Sequence, residues 1–332
     1  MPEISVVMPV YNGEKYIKET IDSILNQSFT DFEFVIVNDG STDKTRAIIE
    51  SYNDGRIKLY NLEENRGVGY ASNHSVVKAN GKYIARADAD DIYHPDRLYL
   101  QKKYLDENPN ITLVKTFVEY FGDEEVEKTD RYLGIKKHLE LNKNRCTSPE
   151  EISKTLLWHI CIPHSSMMIR ANILKKFGYR SYRIAEDYEL FFKLNELGYK
   201  MGTVKEKLTK VRVTNTSLTA KNKILLYENV YEIKRKYIDQ LFGNNDVFLW
   251  GAGDFGQNVI KILDNRGLEV FGFIDSDINK QGEKIYGREI YSKDMLTEKS
   301  KVIVTSMPGR ESIIGELEKL GLEHLRDYVI YL

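Results

Sequence analysis

The chain opens on an apolar run, Ile4–Val10, that stops at the turn residues Tyr11-Asn12-Gly13; Ile17, Ile21, Ile24 and Leu25 then recur at helical spacing. Strand, turn and helix follow in that order, and the pattern repeats down the chain. Residues 32–37 predict a second buried strand, running into Asn38-Asp39-Gly40-Ser41-Thr42-Asp43, whose hydroxyls suit the N-cap of a helix carrying Ala47, Ile48 and Ile49. Residues 57–60 predict a third strand, Asn65-Arg66-Gly67-Val68-Gly69 a glycine loop, 70–79 a helix and 82–87 a fourth strand. Strands alternating with helices at this interval imply an α/β fold with a parallel sheet, which binds ligands beyond the carboxyl ends of its strands. The loops at Tyr11, Asp39, Arg66 and Asp88 each follow a strand, so they are expected on one edge.

Further on, Pro95 suits the first turn of a helix whose Leu98, Leu100 and Leu105 face inward, and residues 111–121 predict another strand. Residues 122–149 are charged with little periodicity, which predicts an exposed excursion, a hairpin over the site being one form of it. Residues 165–170 predict a return strand. Glu186-Asp187 then open a helix carrying Leu190, Phe191, Leu194 and Leu197 and ended by Gly198.

At 332 residues, 42% hydrophobic and 30% charged, the chain has the length for two domains and the composition of a globular protein. A net charge of −2 gives no global case for nucleic-acid binding. Basic residues do predominate from 200 to 236 (Lys205, Lys207, Lys210, Arg212, Lys221, Lys223, Lys234, Arg235, Lys236), which reads as a solvated face, with contact to an anionic membrane or phosphate as the alternative. Cys146 and Cys161 have neither metal-ligand spacing nor a disulfide framework, and with no secretory signal the expectation is a reducing cytosol. No apolar run approaches the roughly 18 residues of a membrane span, so any membrane contact would be peripheral, at the inner face.

The candidate chemistry concentrates at Ala87-Asp88-Ala89-Asp90-Asp91, directly after the fourth strand. Hard divalent cations prefer carboxylate and water oxygens, and Mg²⁺ sites commonly combine one or two carboxylates with substrate phosphates. Asp-x-Asp alone is weak, and the chain holds a second copy, Asp275-Ser276-Asp277. The company of the other three loops separates the first copy from the second.

These residues together resemble the inverting family-2 glycosyltransferases of the GT-A fold. The resemblance runs over about two thirds of the chain and rests on Ser5-Val6-Val7-Met8-Pro9-Val10-Tyr11-Asn12, Val37-Asn38-Asp39-Gly40-Ser41-Thr42-Asp43, Asn65-Arg66-Gly67, Asp88-Ala89-Asp90-Asp91 with Pro95-Asp96-Arg97-Leu98, Glu186-Asp187-Tyr188-Glu189-Leu190 and Val211-Arg212-Val213. It implies a nucleotide-sugar donor, most simply a UDP-sugar, with Pro9, Val10 and Tyr11 lining the base, Asp39 bonded to base or ribose, Arg66 on phosphate and Asp88 at the ribose. Asp90 would coordinate Mn²⁺ or Mg²⁺, Asp187 would be the general base with Glu186 beside it, and His164 would lie on the acceptor side. The acceptor implied is a glycan, glycoprotein or lipid-linked hydroxyl in bacterial surface-glycan assembly. Many relatives carry a histidine shortly after the tail arginine; Arg212-Val213-Thr214-Asn215 has none, leaving Arg212 a candidate phosphate partner.

Residues 1–218 are thus expected to form a GT-A domain, 219–243 a helical connector and 244–332 a small Rossmann-like α/β domain. In the last, a strand at 246–250 leads into Gly251-Ala252-Gly253-Asp254-Phe255-Gly256, a helix with Val259, Ile260, Ile262 and Leu263, and a strand ending at Asp275. That is the dinucleotide-binding arrangement, in space for about half such a fold. It resembles the small domains at the N-terminus of bacterial sugar acetyltransferases. An interaction, regulatory or oligomerisation module, or a nucleotide site at Gly251, Gly253, Gly256 and Asp275 without redox chemistry, is favoured over a dehydrogenase. A nucleotide-binding scaffold without turnover and an NAD-dependent oxidoreductase are the alternative functions for the whole chain.

Overall fold

The computed structural model describes residues 1–214, 222–307 and 309–332. The chain divides into two compact units, Met1–Leu156 with Ile160–Leu218 and Leu157–His159 with Thr219–Leu332. The expected boundary at 218/219, the start of the expected connector and Lys221 of the basic run lie outside the described residues.

The elements of the first unit, in chain order, are β1 (Ile4–Val10), α1 (Ile17–Leu25), β2 (Phe32–Asn38), α2 (Thr45–Glu50), β3 (Ile57–Asn61), α3 (Val68–Lys78), β4 (Tyr83–Arg86), β5 (Ile92–Tyr93), α4 (Arg97–Glu107), β6 (Ile111–Phe121), α5 (Glu124–Glu127), α6 (Asp130–Arg145), α7 (Pro149–Trp158), β7 (Met168–Arg170), α8 (Ala171–Phe177), α9 (Glu186–Glu196) and β8 (Lys200–Arg212). One eight-stranded sheet has the order β3-β2-β1-β4-β7-β6-β8-β5. Its first half, β3-β2-β1-β4, is parallel throughout. Every residue of β1 and β2 is buried, which is why both read as continuous apolar runs without alternation. Val6, Met8, Phe34 and Ile36 pack with Ile17, Ile21 and Ile24 of α1 in one core. This parallel half puts the four predicted loops on a single sheet edge, as expected.

The second half departs from the sequence reading. It is mixed: β7 runs antiparallel to β4 and β6, β8 parallel to β6, and β5 antiparallel to β8. The predicted return strand at 165–170 shortens to β7, preceded by a 3₁₀ turn over His164–Ser166. The predicted excursion at 122–149 is not a hairpin but the helices α5 and α6. Helix α6 escaped the pattern because its inner face is polar: Asn144 accepts the backbone N–H of Val118 and donates to its carbonyl, both at 2.8 Å, and the Tyr132 hydroxyl donates to the Tyr120 carbonyl at 3.1 Å. These side chains take over backbone groups of β6 beyond its short pairing with β7 at Leu113 and Val114.

The second unit contains α10 (Lys223–Asp239), β9 (Val247–Trp250), α11 (Asp254–Asp264), β10 (Gly272–Ile274), β11 (Lys284–Ile285), β12 (Arg288–Tyr291), β13 (Lys301–Val304), α12 (Arg310–Lys319) and β14 (Tyr328–Ile330). Its sheet has the order β11-β12-β10-β9-β13-β14, and the five strands from β12 to β14 are parallel, more than the half fold expected. Phe248, Trp250, Ile274, Val302, Val304, Ile314 and Leu317 form its core with Trp158. Nor is the basic run uniformly a solvated face. Lys234 is fully buried and donates to the carbonyls of Trp158, Ile330 and Tyr331 at 2.9, 2.7 and 3.0 Å.

Candidate active site

The loops after β1 and β2 are stitched together by side chains. Asn12, in the left-handed region at φ 51°, accepts the Thr42 N–H at 2.9 Å and donates its own N–H to Ser41 Oγ at 2.9 Å. Thr45 Oγ1 accepts the Gly13 N–H at 2.8 Å, and Asp43 accepts that of Glu14 at 3.0 Å. Pro9 and Val10 are buried at the end of β1, and Tyr11 beyond them is 49% exposed. Asp39 turns away from solvent, only 3% exposed; its two oxygens accept the backbone N–H groups of Arg66 and Gly67, each at 2.9 Å, and the Asn65 amide at 3.1 Å. Asp39 therefore anchors the loop that enters α3. Arg66 is exposed, its guanidinium lying over the Tyr70 ring at 4.2 Å and donating to the Tyr70 hydroxyl at 2.9 Å.

The three acids after β4 part company. Asp88 is held by Arg86, whose Nε donates to Oδ1 at 2.9 Å while Nη1 donates to Ser72 Oγ at 2.7 Å. Burial alone would raise the Asp88 carboxyl, but the Arg86 guanidinium beside it brings it below the usual carboxylate range. Burial and then the nearby Asp88 push Asp90 up to about 6. Asp91 points inward, 2% exposed, and accepts the backbone N–H of Arg212 at 2.8 Å. It ties the end of β8 to the acidic loop. Arg97 braces the same loop from below, donating to the carbonyls of Arg86 at 2.7 Å and Met167 at 3.1 Å.

Arg212, the candidate phosphate partner, is 6% exposed at its side chain and already engaged. Its Nε donates to the Asp90 carbonyl at 2.9 Å, and its Nη atoms meet Asp123 at 3.1 Å and Glu19 at 2.5 Å, with the guanidinium between the Tyr16 and Phe121 rings. The structure thus ties it to the backbone of Asp90.

A second cluster reaches the same strand end from the later part of the unit. Helix α9 starts at Glu186 after Ala185, a non-glycine residue held left-handed at φ 66° and ψ 21°, a strained conformation of the kind found at functional sites. Glu186 is buried and lies 3.8 Å from His164 Nδ1, whose Nε2 is 2.9 Å from the Tyr179 hydroxyl. Burial, and then the Arg86 charge, depress the His164 imidazole to about 3, so it is neutral at ordinary pH. Burial, then Asp187, push Glu186 up to about 8. Asp187 is also raised by burial, opposed by the backbone N–H of Tyr188 at 2.7 Å and by the Lys143 ammonium. Arg86, Asp88, His164, Tyr179 and Glu186 interact as one electrostatic group.

Arg86, Tyr179 and Lys143 were not singled out from the sequence, and Asp91 was read only as part of the acidic stretch, with no role of its own. Arg86 carried the clearest signal, a charge inside the buried strand Tyr83–Arg86. Gly251, Gly253, Gly256 and Asp275 belong to the second unit and are no part of this cluster. Among the described residues no group of three or more His, Cys, Asp or Glu could hold a metal ion. The donors present, carboxylates of Asp88 and Asp90 at one strand end, are hard oxygens that fit a divalent cation sharing its shell with a diphosphate.

Comparison with known proteins gives this arrangement a lineage. The sequence model of Glycosyl transferase family 2 matches residues 5–177, and that of C2185-like, N-terminal, matches 243–326. An uncharacterized glycosyltransferase of Methanocaldococcus jannaschii is 37% identical, over 75% of this chain and 84% of its own. The O-antigen biosynthesis glycosyltransferase WbnJ of Escherichia coli is 33% identical, over 68% of this chain and 85% of its own. Among solved structures, the mannosyltransferase PcManGT of Pyrobaculum calidifontis in complex with GDP-Man and Mn²⁺ superposes with a TM-score of 0.54, at 22% identity over 72% of this chain and 64% of its own, a likeness of GT-A fold. With its parallel half-sheet, its four ligand-edge loops and a matching family model over more than half its length, the chain belongs to glycosyl transferase family 2.

Proposed function

We propose that this glycosyltransferase is inverting and metal dependent, moving a sugar from a nucleoside-diphosphate donor, first of all a UDP-sugar, to a hydroxyl of a surface glycan, glycoprotein or lipid-linked acceptor. The observation that carries the reading is the meeting of two acidic clusters at one strand end, Asp88 with Asp90 and Glu186 with Asp187, joined electrostatically through Arg86. The O-antigen relative supports a surface-glycan acceptor, and the Mn²⁺ complex of a protein with the same fold supports the cation.

In this reading Pro9, Val10 and the exposed Tyr11 line the base, Asp39 shapes the donor pocket through the loop of Arg66, and Asp88 lies by the ribose. Asp90 would hold Mn²⁺ or Mg²⁺, which when bound spreads the negative charge of the departing diphosphate. Arg212 fixes the Asp90 backbone rather than reaching out to phosphate. The bond from the sugar's anomeric carbon to the diphosphate oxygen breaks while a bond to the acceptor oxygen forms on the opposite face. Asp187 takes the acceptor proton, and its upward shift brings it closer to the operating pH, where a general base works best. Glu186, largely protonated at neutral pH, donates a hydrogen bond on the acceptor side beside the neutral His164.

Thermal-shift measurements with UDP- and GDP-sugars, with and without Mn²⁺, followed by assignment of the product anomer by NMR, test the proposal. A product that keeps the donor's anomeric configuration would rule out inversion, and equal stabilisation with and without Mn²⁺ would rule out metal dependence.

A further inference from the structure

Granting the nucleoside-diphosphate donor proposed above, on which this assignment rests, we infer that the guanidinium of Arg183 binds the donor's diphosphate. Arg212, the arginine expected in that role, is engaged with the Asp90 carbonyl, Asp123 and Glu19. Arg183 lies on the segment between α8 and α9, four positions before Asp187.

The backbone of that segment is pinned on both sides. Asn73 of α3 accepts the Tyr179 N–H at 2.8 Å and donates to the Tyr179 carbonyl at 2.7 Å. Residues 180–182 then lie against the first turn of α3. A Cβ on Gly69 would come within 2.5 Å of the Arg180 carbonyl oxygen and 2.9 Å of that of Tyr182, so only glycine admits this approach. Arg180 meets Glu189 at 3.2 Å and donates to the Tyr182 hydroxyl at 3.1 Å, and beyond Arg183 the chain passes through left-handed Ala185 into α9. Arg183 itself has its Cγ 3.7 Å from the position a Cβ would take on Gly67. Asp39 accepts the Gly67 N–H, so Arg183 stands beside the loop that Asp39 anchors.

What sets Arg183 apart is its lack of a protein partner. Among the described residues every other arginine is engaged by a hydrogen bond, ion pair, ring contact or electrostatic interaction, and Arg183 shows none of these. Arg66, adjacent to Gly67, stacks on Tyr70 and has no carboxylate partner among the described residues either. Two guanidinium groups thus stand beside Gly67 without an acid to balance them. Like charges held together repel, and an anion bound between them removes that cost. The planar fork of a guanidinium takes two phosphate oxygens at once. A lipid-linked acceptor phosphate has the same chemistry, but the place beside the Asp39 loop is on the donor side and favours the diphosphate.

Calorimetry of the full chain with UDP and GDP in the presence of Mn²⁺, at low and raised NaCl, tests this in the wild type, Arg183→Gln and Arg183→Lys. Arg183→Gln should weaken diphosphate binding about tenfold or more, and Arg183→Lys should recover part of the loss, because it keeps the charge and not the fork. Added salt should weaken wild-type binding more than that of Arg183→Gln, a difference that a merely structural role would not produce. Both variants should unfold in urea at the wild-type midpoint, since the side chain is exposed and holds nothing in the fold. Equal affinity in wild type and Arg183→Gln, or the same salt dependence in both, overturns this assignment and leaves the donor reading standing. A wild type that binds neither diphosphate overturns both.

Discussion

Arg86 and Asp88, two residues apart at the end of the last parallel strand, form an ion pair of 2.8 Å in which the arginine side chain is 4% exposed and the aspartate 35%. The arginine also bonds Ser72 and interacts with Glu186, so one guanidinium serves both acidic clusters. Arg86→Met is expected to cost about 2–3 kcal/mol in urea unfolding, less than a fully enclosed pair because Asp88 keeps partial contact with water. Transfer should fall more steeply than stability, since Asp88 and Glu186 lose their common partner.

Asp90→Ala is expected to remove the Mn²⁺-dependent part of UDP binding, read by calorimetry with and without the ion. Unchanged Mn²⁺ dependence would end the metal role of Asp90. Arg212→Lys keeps the charge but loses the fork that spans the Asp90 carbonyl, Glu19 and Asp123. It should weaken the same Mn²⁺-dependent binding indirectly, by about tenfold or less.

Asp187→Asn keeps the shape of α9's first turn and removes the base. Turnover should drop by about 10²–10⁴-fold while donor affinity changes little. Normal turnover in this variant would refute the assignment.

Glu186 makes stability depend on pH. Its folded value is raised from 4.5 to about 8 by burial, then by Asp187, while Arg86 pulls the other way. The folded chain therefore holds a proton that the unfolded chain has lost, so this contribution is fully present below pH 4.5 and declines as pH rises toward 8. The decline is up to about 1.4 kcal/mol per pH unit. Urea midpoints across that window should fall in the wild type and flatten in Glu186→Gln; parallel curves would refute the shift.

Lys234→Ala leaves three buried carbonyls of the second unit without the ammonium that joins them. A loss of roughly 3 kcal/mol is expected in chemical denaturation. A neutral result would mean water replaces the ammonium.

The parallel half of the first unit was legible because both of its faces are covered: β1 and β2 had to be continuous apolar runs, and the turn residues after them had to fall on one edge. Helix α6 was not legible, since among its described residues Asn144 and Tyr132 serve β6 through polar atoms, which hydrophobic spacing does not register. Strand β8 was hidden in the same way by its run of lysines, among which Leu208 and Thr209 alone face the interior over the stretch from Lys205 to Lys210.

Local composition determined which residues could do chemistry, because strand ends, turn glycines and clustered acids are properties of short stretches. The family resemblance named separate roles for Asp88 and Asp90, but nothing in the stretch itself gave Asp88, Asp90 and Asp91 different physical environments. Only the tertiary structure set them apart, by bringing Arg86 to the first, leaving the second near another negative charge, and turning the third inward to a backbone N–H of Arg212, 121 positions away along the chain. A carboxylate's role depends on the charges and donors within a few ångströms of it, and those neighbours come from distant parts of the sequence.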